Sequence, residues 1–215
     1  MNEGGMGDRP ESDAAPGDER RKPKRRERQR NRPPPVATAA YLRAWALSYL
    51  DRYSASAGHL RRLMLLKLGR SARVHGAEQT ADKAAVEALI AKLTTEGLLD
   101  DAAFAASRAR SLHRRGIAAQ GIRARLAERG IAQPAIERAL EGLQDEAGDP
   151  ELAAALRYAR RRRLGPFRPG PERSERRERD LAALGRRGFG FEIARRVIDT
   201  EDVEALEREA TATPT

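Results

Sequence analysis

The chain has no cysteine among its 215 residues, and aromatic side chains make up only 4% of it. Without thiols there can be no disulfides and no thiolate metal sites, which points to a reducing compartment. Scarce aromatics, 34% charged residues and abundant alanine weigh against sheet and favour helix. No apolar run approaches the roughly 18 residues of a membrane span. The charged N-terminus lacks the apolar core of a secretory signal. His59, His75 and His113 are the only histidines and have no metal-ligand spacing. A soluble, cytoplasmic, all-α protein without cofactors or membrane contact is expected.

What is plentiful is basic charge. The formal net charge is +10, with an isoelectric point near 10.7. Residues 1–35 hold 10 Lys/Arg against 7 Asp/Glu, and residues 199–215 hold 1 against 6, so residues 36–198 keep 31 against 19. The central part is therefore more basic than the whole, and such a field draws phosphate backbones or an acidic protein. Residues 1–37 carry six of the twelve prolines and almost no large apolar side chain. They are expected to form a disordered, basic, Pro-rich arm. Residues 199–215 read as an acidic tail.

Residues 97–143 organise the rest. Three short amphipathic helices are predicted there, broken at Gly116 and Gly130. Asp100 or Asp101 is suited to cap the first, because a short carboxylate accepts bonds from the orphan amides of a helix start. Phe104, Ala105, Ala109 and Leu112 share one face of it, Ile122 and Leu126 one face of the second, and Ile136, Ala139, Leu140 and Leu143 one face of the third. Helices of about three turns are unstable alone in water, so neighbours of the same kind are predicted.

The neighbours can be read on both sides. Before the central triplet, Leu42, Trp45, Tyr49, Leu50 and Tyr53 form one stripe, Leu60, Leu63, Met64 and Leu68 a second ending near Gly69, and Val86, Leu89, Ile90 and Leu93 a third. After it, Leu152, Leu156, Ala159 and Leu164 open a helix, residues 174–187 form the next, and residues 191–198 the last. The segment Leu126–Ile131 matches Leu184–Phe189, and ten positions after each glycine stand Leu140 and Ile198. The expected organisation is three tandem three-helix, helix-turn-helix-like repeat modules over residues 38–98, 99–148 and 149–198, forming an elongated curved array. The first module carries an insertion at residues 70–80, which would prolong its second helix. Leu98 and Leu99 are expected to pack between the first two modules. With no apolar stripe left over, a monomer is expected.

No arrangement here points to an enzyme. The adjacent Asp100 and Asp101 fit a helix start better than acid–base work, and Gly185–Gly190 follows a helix with no preceding strand, so it reads as a helix end, not as a phosphate loop. Arginine is the informative residue. The candidate binding patch comprises Arg108, Arg110, Arg114, Arg115, Arg123 and Arg125, with Arg157, Arg160, Arg161, Arg162, Arg163, Arg186, Arg187, Arg195 and Arg196. Guanidinium forks suit phosphate and carboxylate alike. The would-be reading helices hold few Asn, Gln, Ser or Thr, so backbone or protein binding is favoured over reading of base edges.

The stretches Gly97–Ala105, Arg110–Gly116 and Ile122–Ile131, with Arg187–Ile198 further on, resemble the central signature and C-terminal module of RecX regulatory proteins. The similarity spans roughly residues 41–198. It implies a cytoplasmic regulator of DNA repair and the SOS response. Such a protein is built from tandem three-helix modules, lies in the groove of the RecA–DNA filament, and restrains homologous recombination, ATP hydrolysis and co-protease activity. RecA would be the protein partner, with single- and double-stranded DNA on the basic face. The residues alone also allow a general DNA- or RNA-binding helical protein without sequence specificity.

Overall fold

The apolar periods become helices in the computed structural model, which describes residues 33–78, 80–146 and 148–212. There are ten α-helices and no strand among the described residues. They are α1 (Ala39–Leu50), α2 (Ala57–His75), α3 (Lys83–Thr95), α4 (Asp101–Arg114) and α5 (Ala119–Ala127), followed by α6 (Gln133–Glu146), α7 (Pro150–Arg162), α8 (Arg177–Arg186), α9 (Phe191–Asp199) and α10 (Val203–Thr211). Short 3-10 turns at Gly165–Phe167 and Pro171–Arg173 join α7 to α8. Side chains of Thr38, Ser56, Asp82, Asp100, Asp149 and Asp202 each accept an amide bond at a helix start. These bonds satisfy donors that the helix itself leaves open.

Val36–Thr215 form one compact unit, and its buried apolar side chains fall into three clusters. The first joins Leu42 and Ala46 of α1, Leu60, Met64 and Leu68 of α2, and Val86, Ile90 and Leu93 of α3. The second joins Ala105, Ala109 and Leu112 of α4, Ile122 and Leu126 of α5, and Ile136, Ala139, Leu140 and Leu143 of α6. The third is built on α7, whose Leu152–Leu156 and Ala159 are all buried, with Leu181 and Leu184 of α8 and Ala194, Val197 and Ile198 of α9.

Several expectations need correction. Most of the expected arm lies outside the described residues, but Ala37 is buried and belongs with the first cluster. Its amide donates to Ser71 Oγ at 2.8 Å and its carbonyl accepts from Ala81. Helix α2 does not stop at Gly69. It runs on to His75, so residues 70–75 do prolong it, and Gly76 ends it. Tyr53 lies beyond α1 and is exposed, while Leu98 stays 48% exposed and only Leu99 is buried, in the first cluster. Leu164 is buried but follows α7, whose end is a left-handed turn at Arg163. The helix predicted from residue 174 starts at Arg177.

The segment read as an acidic tail is indeed acidic, but it contains α10. Leu206 and Ala210 of α10 are buried against the third cluster, and the Asp149 amide donates to the Ala210 carbonyl. Helix α7 is apolar on more of its circumference than a three-helix packing can cover, and α10 covers the remainder.

The clusters are joined largely through main-chain groups. Asp101 Oδ1 accepts from the Ala57 amide at 2.8 Å, and Arg62 donates to the Glu128 carbonyl at 2.7 Å. Gly58 and Gly130 meet backbone to backbone; a Cβ on Gly58 would lie 2.8 Å from the Gly130 Cα. On the other side, His113 Nε2 is 2.7 Å from the Pro150 carbonyl oxygen, and the Ala119 amide donates to Glu151 Oε2 at 3.0 Å. A Cβ on Gly116 would lie 2.8 Å from the Ala154 carbonyl oxygen, so α7 crosses close over the end of α4. Burial pushes the Glu151 carboxyl above its ordinary range, and the Ala119 amide offsets part of that.

Candidate functional site

The arginines predicted as one patch divide into two populations. The first is tied to carboxylates of the same chain. Arg123 grips Glu137 through Nε and Nη2, both at 3.0 Å, a bidentate pair that holds the Glu137 carboxyl below its usual range. Arg195 pairs with Glu192 at 2.9 Å. Arg160 of α7 and Arg196 of α9 pair with Glu207 and Glu209 of α10, and Arg196 also lies 3.9 Å from Asp149. Arg177, outside the expected patch, pairs with Asp199 in the same way and holds that carboxyl low.

The second population meets no carboxylate among the described residues. Arg108, Arg114 and Arg115 lie on or just after α4, Arg161 and Arg162 end α7 with Arg163 following, and Arg186 and Arg187 stand at the end of α8. Arg125 turns back on its own helix, bonding the Gly121 carbonyl. Arg157 lies against the His113 ring, its Nη1 3.4 Å from Nδ1. Arg110, exposed on α4, stands apart from both groups.

Tertiary structure brings much of this second group together. Arg161 Nη2 donates to the Arg115 carbonyl at 2.7 Å, so the end of α7 is tied to the end of α4. The Tyr158 ring carries the Arg161 guanidinium at 5.8 Å and that of Arg187 at 5.3 Å from its centroid. A continuous basic strip thus runs from Arg115 through Arg161 and Tyr158 to Arg187. Cations at helix C-termini are favoured by the exposed carbonyls there, which is why this sequence places its arginines at three helix ends. Such a strip can bind anions by fork-shaped hydrogen bonds and by field. Tyr158 is not among the patch residues expected from the sequence, though its spacing of three from Arg161 on one helix is a usable signal.

Residues 100–140, which contain α4 and α5 and most of α6, match the family model of the second three-helix domain of RecX. The chain is 42% identical over 178 residues to the regulatory protein RecX of Myxococcus xanthus, covering 82% of this chain and 94% of that protein. It is 34% identical over 110 residues to the RecX of Agrobacterium fabrum, covering 50% of this chain and 56% of the relative. A crystal structure of a regulatory protein RecX superposes with a TM-score of 0.55 at 24% identity, over 75% of this chain and 74% of that one, a likeness of fold. The chain belongs to the RecX family of regulatory proteins.

Proposed function

We propose that this protein is a non-catalytic, monomeric, cytoplasmic regulator that binds the RecA–DNA filament and restrains its recombinase, ATPase and co-protease activities. The observation that carries this reading is the basic strip from Arg115 to Arg187, which is left without carboxylate partners among the described residues in a chain of the RecX family. Three apolar clusters in series, divided near residues 99/100 and 148/149, would act as three successive docking units along a repetitive partner. No described helix is long and apolar enough to cross a membrane, in keeping with a partner met in solution.

Titrating the protein into RecA turning over ATP on single-stranded DNA tests the reading. Inhibition at less than one protein per RecA protomer is expected. Charge reversal of Arg114 and Arg115 together should weaken it while leaving the thermal melt unchanged. A RecA ATPase indifferent to stoichiometric protein would move the assignment to a general nucleic-acid binder. In that case, affinity for free DNA would fall steeply with salt and account for all binding.

A further inference from the structure

The ends of α7 and α8 enclose an open hollow of about 490 Å³ lined by Tyr158, Arg161, Arg162, Arg163, Arg186 and Arg187, with Leu164 and Ala183 at its base. Five arginines line it and no acidic residue does. The same chain shows what it does elsewhere with arginines around a hollow. Between α7 and α10, Arg157, Arg160 and Arg208 share their pocket with Glu204 and Glu207, and Arg160 and Glu207 are paired. Helix ends favour cations there, but none of the five is matched by an acidic residue in the lining of the hollow. Like charges gathered this way repel; water and salt screen them, and a polyanion would relieve them further.

The hollow carries a second mark of an external ligand. The Arg187 side chain lies over Tyr158, and Arg161 also contacts that ring. An aromatic ring among guanidinium groups is the combination that holds a nucleic-acid strand, with phosphates on the cations and a base near the ring. Carboxylates of a folded protein would have to converge from several side chains on one small concavity. A nucleic-acid strand delivers its charges in series on one flexible backbone.

We infer that the α7–α8 hollow is a binding site for successive phosphates of a single nucleic-acid strand, with Arg162, Arg163 and Arg186 at its rim and Tyr158 flanked by Arg161 and Arg187. This rests on the regulator reading above and assigns this part of the basic strip to DNA, leaving the protein partner to other surfaces.

The test uses the full chain, a dye-labelled dT oligonucleotide and fluorescence anisotropy at several salt concentrations. The double variant Arg162→Gln/Arg186→Gln should bind at least tenfold more weakly. Its log-affinity against log-salt slope should be shallower by about 0.7 for each phosphate that is no longer neutralised. The charge-matched variant Arg160→Gln/Arg196→Gln, altered at arginines already paired inside the chain, should lose far less. Equal loss in both variants would reduce the effect to net charge and overturn the proposal. Tripolyphosphate is the second probe. If it binds the hollow while the oligonucleotide does not, the site serves free polyphosphate and the inference fails. RecA ATPase separates the two readings. Inhibition by the wild-type protein with unchanged oligonucleotide binding in the Arg162/Arg186 variant would remove the hollow from DNA contact and leave the regulator reading standing. No inhibition by the wild-type protein, with oligonucleotide binding that depends on Arg162 and Arg186, would do the reverse.

Discussion

Asp101 Oδ1 lies 2.8 Å from the amide nitrogen of Ala57, so a carboxylate in the first turn of α4 closes the start of α2, 44 residues away in sequence. Asp100 caps α4 itself, through the Ala103 amide at 2.8 Å. Two adjacent acids therefore serve two different helices, one local and one distant.

Asp101→Ala should destabilise the protein by about 1 kcal/mol, the usual cost of losing a side-chain cap, and Asp101→Asn should recover most of it. Thermal unfolding followed by circular dichroism would decide. Equal melting temperatures for wild type and Asp101→Ala would show that the contact contributes nothing.

Three glycines separate by sign under one substitution. Gly130 has φ 76° and an added Cβ would come within 2.9 Å of the Gly58 Cα. Gly130→Ala should therefore cost about 1–2 kcal/mol for the left-handed backbone, with a further overpacking cost of about 1–3 kcal/mol. Gly58→Ala meets the same backbone from the other side. Gly69→Ala meets open space inside α2 and should stabilise by up to about 1 kcal/mol. Urea unfolding of the three variants gives the signs directly.

Glu207 and Glu209 of α10 hold Arg160 and Arg196. Glu207→Gln/Glu209→Gln should leave α10 docked through Leu206 and Ala210 while releasing two cations. DNA affinity at low salt should then rise several-fold, and the gain should vanish at high salt. Weaker DNA binding in a folded double variant would contradict this.

His59 beside Arg129 and Arg62 has its pKa lowered, first by burial and then by the two guanidinium charges. The unfolded chain thus takes up the proton first. The stabilisation is complete above the unfolded value of about 6.5 and is lost as pH falls through that value towards the folded one. Glu151, whose pKa is raised by burial, acts with the opposite sign at lower pH. Melting temperature should fall between pH 7.5 and 5.5, and His59→Gln should flatten that fall; an unaltered slope in the variant would exclude His59 as its source.

Much of the helical plan is legible in the sequence because it rests on local rules. Leu126, Ile136 and Leu184 are buried where the 3.6-residue period puts them, and Gly116, Gly130 and Gly188 end their helices as left-handed residues. The illegible parts depend on partners distant in sequence. Nothing local says that Arg123 is bound by Glu137, or Arg160 by Glu207, so the arginine patch reads as uniform until the fold divides it. His113 reads as one more cation in a basic last turn, yet it is buried against Pro150. Helix α10 is hidden by its charge, because two apolar anchors in an acidic segment are too few to show as a stripe.

Where α2 meets the turn before α6, and where the end of α4 meets α7, the closest approaches are between backbones: Gly58 on Gly130, and Gly116 on the Ala154 carbonyl. Spacing set by main chain is insensitive to most substitutions around it. A protein of this build can exchange its exposed arginines for other residues, and so change what it grips, while its helix groups keep their pitch. Its recognition surface and its ruler are separately mutable.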